Sequence, residues 1–256
     1  MAVTVITGAS SGIGRAISPL LAGDGHKIAL LARRTELLTE IADEINGGGG
    51  TAVAFECDVS NREEVRQVFT RCVEELGPVD RLIANAGIGE STPARKFDGE
   101  TVAKVMEINY LGAVYCIEQV LPEMLARRQG HIVGVSSLAS YLGMPGSGAY
   151  CASKAALSSM LTSLRVELRT KGVDVTTICP GFIRTPMTDR NKFKMPFLME
   201  VDDAAVLMHR AILRRDAEFS FPWRLSAPVR FARFLPASIY DRLLSGKEAS
   251  KAPSTQ

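Results

Sequence analysis

Tyr150-Cys151-Ala152-Ser153-Lys154 opens a long helix-period segment, and the residues at its two ends are the ones equipped for chemistry. A spacing of four puts the phenol and the ammonium on one helix face, where the cation favours phenolate and draws the tyrosine pKa toward neutrality. A tyrosine tuned in this way serves as general acid or base at physiological pH. Ser136-Ser137 ends an apolar run, Ile132-Val133-Gly134-Val135. That places a hydroxyl at the carboxyl end of a strand, where doubly wound sheets bind ligands. Alone, a Tyr/Lys pair at this spacing reads first as a solvated helix pair; its neighbours along the chain change that.

The first apolar run ends in Thr7-Gly8-Ala9-Ser10-Ser11-Gly12-Ile13-Gly14, after which a helical pattern begins. Glycines between a strand and a helix let the backbone turn tightly and let a pyrophosphate reach the helix N-terminus, where free N–H groups and the dipole favour negative charge. A merely tight turn is the plainer alternative. At the end of the second apolar run, where an acidic residue would take the ribose 2′-hydroxyl of NAD, the chain reads Leu31-Ala32-Arg33-Arg34. Guanidinium groups bind a 2′-phosphate with charge-assisted bonds. The expected cofactor is therefore NADP(H), with Arg33 on the phosphate, Arg34 flanking the adenine and Arg15 as an auxiliary charge. Read as a solvated helix start, these arginines would oppose the dipole.

The elements that must position these groups are legible as alternating patterns. Strands are expected near Val3–Thr7, Lys27–Ala32, Thr51–Cys57, Asp80–Ala84, His131–Ser136, Asp174–Cys179 and Glu218–Phe221. Helices are expected over Ile13–Ala22, Thr35–Ile45, Arg62–Leu76, Glu100–Arg127, Ala149–Thr170 and Ala204–Arg215. Such alternation implies βαβ units, hence an α/β fold: a doubly wound, Rossmann-like parallel sheet of about seven strands in three layers. The glycine run Gly47–Gly50 stops the second helix and turns the chain into the third strand.

Together these motifs resemble the short-chain dehydrogenase/reductase family over residues 3 to 188. The markers are the Thr7 to Gly14 loop, Cys57-Asp58-Val59, Asn85-Ala86-Gly87, Asn109, Ser137 thirteen residues before Tyr150, Lys154 and Pro180-Gly181. The resemblance implies a carbonyl/secondary-alcohol oxidoreductase with catalytic Asn109, Ser137, Tyr150 and Lys154. In it Ser137 holds the substrate oxygen, Tyr150 passes the proton, Lys154 binds the nicotinamide ribose and lowers the tyrosine pKa, and Asn109 holds a relay water. It also implies that Gly8, Ser10, Ser11, Gly12, Ile13 and Gly14 cradle the pyrophosphate, and that Asp58 and Val59 meet the adenine. Asn85, Ala86 and Gly87 would approach the adenine ribose, and Pro180, Gly181, Ile183 and Thr185 would cover the nicotinamide. A dinucleotide-binding sensor or scaffold without turnover is the alternative, against which Ser137, Tyr150 and Lys154 all stand in place. No metal site is expected.

Residues 1–221 read as the cofactor and catalytic unit, with a substrate lid over 187–201 whose Met, Phe and Leu residues suit a hydrophobic substrate. Residues 222–256 form a basic amphipathic extension, not a separate domain, and Ser245–Gln256 is small and polar, like a frayed tail. Its apolar face either packs on the domain or a second subunit, or lies on a membrane surface with arginines at the headgroups. The family's usual homodimer or homotetramer would pair Glu100–Arg127 and Ala149–Thr170 across a two-fold axis.

Composition sets the remaining bounds. The 256 residues are 46% hydrophobic and 23% charged, ordinary for a globular protein and too apolar for disorder. The net charge of +2 divides unevenly: Ala204–Gln256 holds nine Lys/Arg against four Asp/Glu, and the rest 21 against 24. Nothing in this pattern predicts a nucleic-acid partner. Cys57, Cys72, Cys116, Cys151 and Cys179 are scattered among apolar residues and read as free thiols in a reducing compartment. Cys151 is expected to pack, and His131 to be solvated or bonded to backbone. With no apolar run near ~18 residues and strand-like residues from Val3, the expected location is cytoplasmic, with peripheral membrane attachment open.

Overall fold

The structure is a computed structural model that describes residues 1–191 and 193–249. Lys192 of the expected lid and residues 250–256 of the expected tail lie outside the described residues. Seven parallel strands, β1 (Val3–Thr7), β2 (Lys27–Ala32), β3 (Thr51–Glu56), β4 (Val79–Ala84), β5 (Gly130–Val135), β6 (Val173–Pro180) and β7 (Glu218–Phe221), form one sheet in the order β3-β2-β1-β4-β5-β6-β7. Each lies within one residue of its expected span. β1 and β5 are buried along their whole length. Sheets covered on both faces ask for such runs of Val, Ile and Leu rather than alternation.

Helices α1 (Gly12–Gly23), α2 (Thr35–Gly47) and α7 (Val201–Arg214) cover one face through Ile17, Leu21, Leu38, Ile41, Met208 and Ile212. Helices α3 (Arg62–Leu76), α4 (Gly99–Met106), α5 (Gly112–Arg127) and α6 (Gly148–Leu168) lie on the other, where Val65, Phe69, Cys116, Val120, Leu157 and Leu161 fill the core. The result is the expected three-layer doubly wound sheet. Strand order reverses at β1, between β2 and β4, and ligands of such sheets bind outside the carboxyl ends at that switch.

The segment expected as one helix over Glu100–Arg127 is instead α4 and α5 joined by a π-helical turn, Glu107–Leu111, which carries Asn109. Such turns widen the helix by one residue per turn and are favoured near functional sites. At the C-terminus α8 (Trp223–Ala232) and α9 (Ala237–Ala249) follow β7. The polar stretch expected to fray from Ser245 is helical in backbone to Ala249. The described residues between Met187 and Glu200, in the expected lid, form turns and irregular backbone, pinned by an Ile183–Met199 bridge. Among the described residues no helix is long and apolar enough to cross a membrane. All five cysteines are free and buried.

Candidate active site

The catalytic candidates meet because α6 packs unusually close to β5. A Cβ on Gly134 would stand 2.2 Å from Leu161 Cδ1, so only a bare backbone at that point of the strand admits the helix. Two serines then divide the work at the strand end. Ser136 Oγ donates to the Lys154 carbonyl (3.0 Å) and meets Ser158 Oγ at 2.7 Å, fastening α6 to β5. Ser137 faces Tyr150 instead and lines a cavity of about 450 Å³ together with Tyr150 and Lys154. Its Oγ also accepts the Ala139 amide at 3.1 Å, which fixes its rotamer.

Lys154, 4% exposed, donates from Nζ to the Val135 carbonyl at 2.8 Å and lies 5.9 Å from the centroid of the Tyr150 ring. Burial pulls its pKa down to about 8. Burial also pushes the Tyr150 phenol up, only partly opposed by its hydrogen bond with Ser137. Burial thus acts on Tyr150 against the expected drift toward neutrality, with the Lys154 ammonium bonded to a backbone carbonyl. A phenol with a raised pKa is held protonated, the form a general acid needs.

Asn109 does not line the cavity. It is fully buried on the π turn, and its amide is used at both ends: Oδ1 accepts from Ile88 N (2.7 Å), while Nδ2 donates to the Ile88 carbonyl (2.9 Å) and to Ser153 Oγ (3.0 Å). Ser153 in turn donates to the Tyr150 carbonyl at 2.8 Å. Asn109 therefore clamps the loop after β4, at the cavity-lining Ile88, to the first turn of α6. Its side chain thus lies behind the cavity wall.

The other end of the cavity is built for an anion. Gly8 and Gly12 take φ of +64° and +56°, conformations that favour glycine. Gly14, behind the lining, has no room for a side chain, since a Cβ would stand 2.6 Å from the Gly8 carbonyl and 2.8 Å from Asn85 Nδ2. Ser11 occupies the N-cap of α1 without capping it. Its hydroxyl accepts from Arg34 Nη2 (2.8 Å), as does that of Ser10 (2.9 Å). The first-turn amides of α1 thus have no side-chain cap, and the helix dipole adds to their pull on a pyrophosphate. The donor set and the bare loop fit a dinucleotide.

Arg33 extends toward Asp58, 3.9 Å away. Burial opposes ionisation of Asp58, but bonds from the Ser60 hydroxyl and amide, with Arg33 beyond them, hold its pKa below the usual range. Thr7 Oγ1 accepts the amides of Asn85 and Ala86, each at 3.0 Å, and Asn85 Nδ2 donates back to the Thr7 carbonyl at 2.9 Å. The glycine loop and the end of β4 are locked together by this exchange.

Gly8, Ser10, Ser11, Gly12, Ile13, Arg33, Arg34, Asp58, Val59, Asn85, Ala86, Gly87, Pro180, Gly181, Ile183 and Thr185 all line the one cavity with Ser137, Tyr150 and Lys154. Arg15 does not: it turns away to pair with Glu44 at 3.2 Å. Both Arg33 and Arg34 are exposed at the cavity, Arg34 anchored to the loop serines and Arg33 reaching Asp58. Sequence reading overlooked Glu90 and took Thr188 only as part of the lid, yet both line the cavity. Thr188 Oγ1 donates to the Ile183 carbonyl (2.7 Å) and accepts the Thr185 amide (2.9 Å), folding the loop after β6. The usable signal was a Thr-x-x-Thr spacing that favours a side-chain-capped turn. Glu90 carried none.

A family model described as short chain dehydrogenase matches residues 2–195. An uncharacterized oxidoreductase of Myxococcus xanthus is 44% identical over 237 residues, 93% of this chain and 94% of the relative. Among solved structures, an alcohol dehydrogenase from the archaeon Thermococcus sibiricus complexed with 5-hydroxy-NADP is similar with a TM-score of 0.78 and 29% identity, covering 86% of this chain and 96% of that one. A short-chain dehydrogenase/reductase from Burkholderia phymatum in complex with NAD gives a TM-score of 0.83 at 26% identity, over 100% of this chain and 97% of the other. Cofactors of both kinds thus occur on closely similar folds. Matched over most of its length, this chain belongs to the short-chain dehydrogenase/reductase family of oxidoreductases.

Proposed function

We propose that the protein is an NADP(H)-dependent oxidoreductase that interconverts a carbonyl and a secondary alcohol on a hydrophobic substrate. The observation that carries this reading is the single cavity with an anion-binding glycine loop at one end and Ser137, Tyr150 and Lys154 at the other. Two exposed guanidinium groups, Arg33 and Arg34, and no carboxylate at the end of β2 favour the 2′-phosphate form. Bound there, the nicotinamide would supply or accept the hydride.

The chain's own residues do the rest. Ser137 donates a hydrogen bond to the substrate oxygen and holds it against Tyr150. The Tyr150 phenol, protonated at neutral pH, gives its proton to that oxygen in reduction. Lys154, with a pKa of about 8, is cationic at neutral pH and stabilises the phenolate left behind. Asn109 keeps Ile88 and the start of α6 in register. Ile88, Pro186 and Met187 give the substrate end an apolar wall. We read residues 1–221 as the catalytic unit, 187–201 as its lid and 222–256 as an extension, in a cytoplasmic homodimer or homotetramer. Val166, exposed on α6, supports pairing through that helix.

Thermal shift with NADPH and NADH at matched concentrations tests the cofactor. NADPH should stabilise more, and Arg33→Ala should weaken NADPH about tenfold or more while sparing NADH. Equal shifts for the two nucleotides would refute the arginine argument. Turnover on a carbonyl panel tests the substrate: medium-chain ketones should exceed small polar keto acids, and the reverse by tenfold would sink the hydrophobic assignment.

A further inference from the structure

Helices α8 and α9 turn their largest apolar side chains outward. Trp223 is 72% exposed, Phe231 69% and Phe234 77%, and Ile239 and Leu243 follow on α9. Their spacing is not scattered. Trp223 and Phe231 lie two turns apart on one face of α8, and Ile239 and Leu243 one turn apart on α9. The inward faces are different: Ser226 is buried under α8, while Tyr240 of α9 donates to the Gly143 carbonyl at 2.5 Å.

Charge accompanies this apolar stripe. Arg224 lies 5.9 Å from the Trp223 ring and Arg233 5.6 Å from the Phe234 ring. Among the described residues neither has a carboxylate within ion-pair distance. From Pro222 to Ala249 the sequence holds five Lys/Arg against two Asp/Glu. A symmetric contact between two copies would set these cations against one another. The complementary surface is negative and apolar at once. Rigid aromatics flanked by arginine suit the headgroup boundary of a bilayer, and the aliphatic pair on α9 suits acyl chains better than it suits the stacked bases of a nucleic acid.

The same helices brace the catalytic mouth. A Cβ on Gly181, a cavity-lining residue, would meet Leu225 Cδ2 at 2.9 Å, so α8 leans directly on the loop after β6. Through Gly143, α9 holds the loop that joins Ser137 to Tyr150. We infer that α8 and α9 dock this protein on anionic lipid surfaces, with Trp223, Phe231 and Phe234 entering the interface and Arg224 and Arg233 meeting lipid phosphates. The site would then draw its substrate from the bilayer, a consequence that rests on the hydrophobic-carbonyl reading above, whereas the docking does not.

Co-sedimentation of the full chain with phosphatidylcholine vesicles, alone or with about a third phosphatidylglycerol, tests this. Wild type should bind the anionic vesicles about tenfold or more tightly than the neutral ones, and less tightly at high salt. Replacing Trp223, Phe231 and Phe234 together by Ala should cut binding about tenfold or more, and Arg224→Gln with Arg233→Gln about 25-fold. These side chains are exposed, and unchanged melting and turnover on a soluble carbonyl will show that the variants are folded. Wild type indifferent to anionic vesicles overturns the proposal. So does a triple variant that binds them as wild type does, or one whose mass in light scattering falls by half while wild type ignores lipid, which makes the face a subunit contact. Vesicle binding without carbonyl turnover would refute the enzymatic reading and leave the docking intact.

Discussion

The two ends of the sheet carry ionisable groups of comparable burial and opposite meaning. At the carboxyl end Tyr150 and Lys154 are shifted by desolvation and face a cavity. Toward the amino end, Arg81 of β4 is 9% exposed, and its Nε donates to His131 Nδ1 of β5 at 3.4 Å. The other imidazole nitrogen of His131 stands 2.9 Å from Thr176 Oγ1, and Arg81 Nη1 is 3.5 Å from His26 Nε2. Among the described residues Arg81 has no carboxylate in ion-pair range; two neutral imidazoles solvate it instead. His131, expected to be solvated or backbone-bonded, is buried, and desolvation, then Arg81 and Arg215, push its pKa down to about 3. None of these groups lines the cavity that Tyr150 and Lys154 face. Perturbed ionisation by itself marks burial, and it marks chemistry only where a cavity gives the proton somewhere to go.

Tyr150→Phe should break the functional half of that comparison outright. Turnover should fall about 10³-fold, the range of general acid catalysis, with NADPH binding and melting temperature preserved. Retention of more than about a tenth of the rate would remove Tyr150 as the acid. A smaller effect is expected from Gly134→Ala. The new methyl meets Leu161 Cδ1 in a fully buried contact, so the leucine or α6 itself must move. Overpacking of this kind costs about 2–3 kcal/mol, and misplacing Tyr150 against Ser137 should lower turnover about tenfold or more. Urea unfolding and steady-state rates read the two losses separately; stability lost with full activity would mean that close packing does not set the site's geometry.

The sheet was legible because buried parallel strands spell themselves out as apolar runs, and Gly47–Gly50 punctuates the chain as expected, with Gly49 at φ +85°. The cavity residues were legible as motifs whose bare backbone and N-terminal helix amides have few alternative uses. Tertiary competition explains what was not. Glu107–Leu111 has no glycine or proline to announce a π turn; it forms where Asn109 can satisfy Ile88 and Ser153 at once. Arg81 inside an apolar strand was the one local hint of the polar cluster, but its register opposite His131 exists only in the sheet. Likewise the Tyr150 pKa depends on where Lys154 Nζ points, which an i, i+4 spacing leaves open.

The amino end makes its own prediction, in the pH dependence of stability. His131 titrates near 6.5 when unfolded and is pushed down to about 3 when folded, first by burial and then because protonating Nδ1 would set a cation beside the Arg81 guanidinium. The unfolded chain therefore binds the extra proton first. Stability is complete above pH 6.5 and declines as pH falls from there toward 3, by about 1.4 kcal/mol per pH unit for one such group. His26, whose pKa is also lowered by burial and then by Arg81, adds to the slope with the same sign. Asp24, Asp80 and His209 also act on His26, the two carboxylates against the lowering, and Arg215 acts with Arg81 on His131. His131→Gln keeps an acceptor for Arg81 and a donor for Thr176 but does not titrate. Urea unfolding at pH 7 and pH 5 should show a slope flatter by about one proton in the variant, and NADPH turnover at pH 7 within about twofold of wild type. An unchanged slope would mean that His131 is not the buried base of this cluster, and a large loss of turnover would mean that the amino end of the sheet is coupled to the site after all.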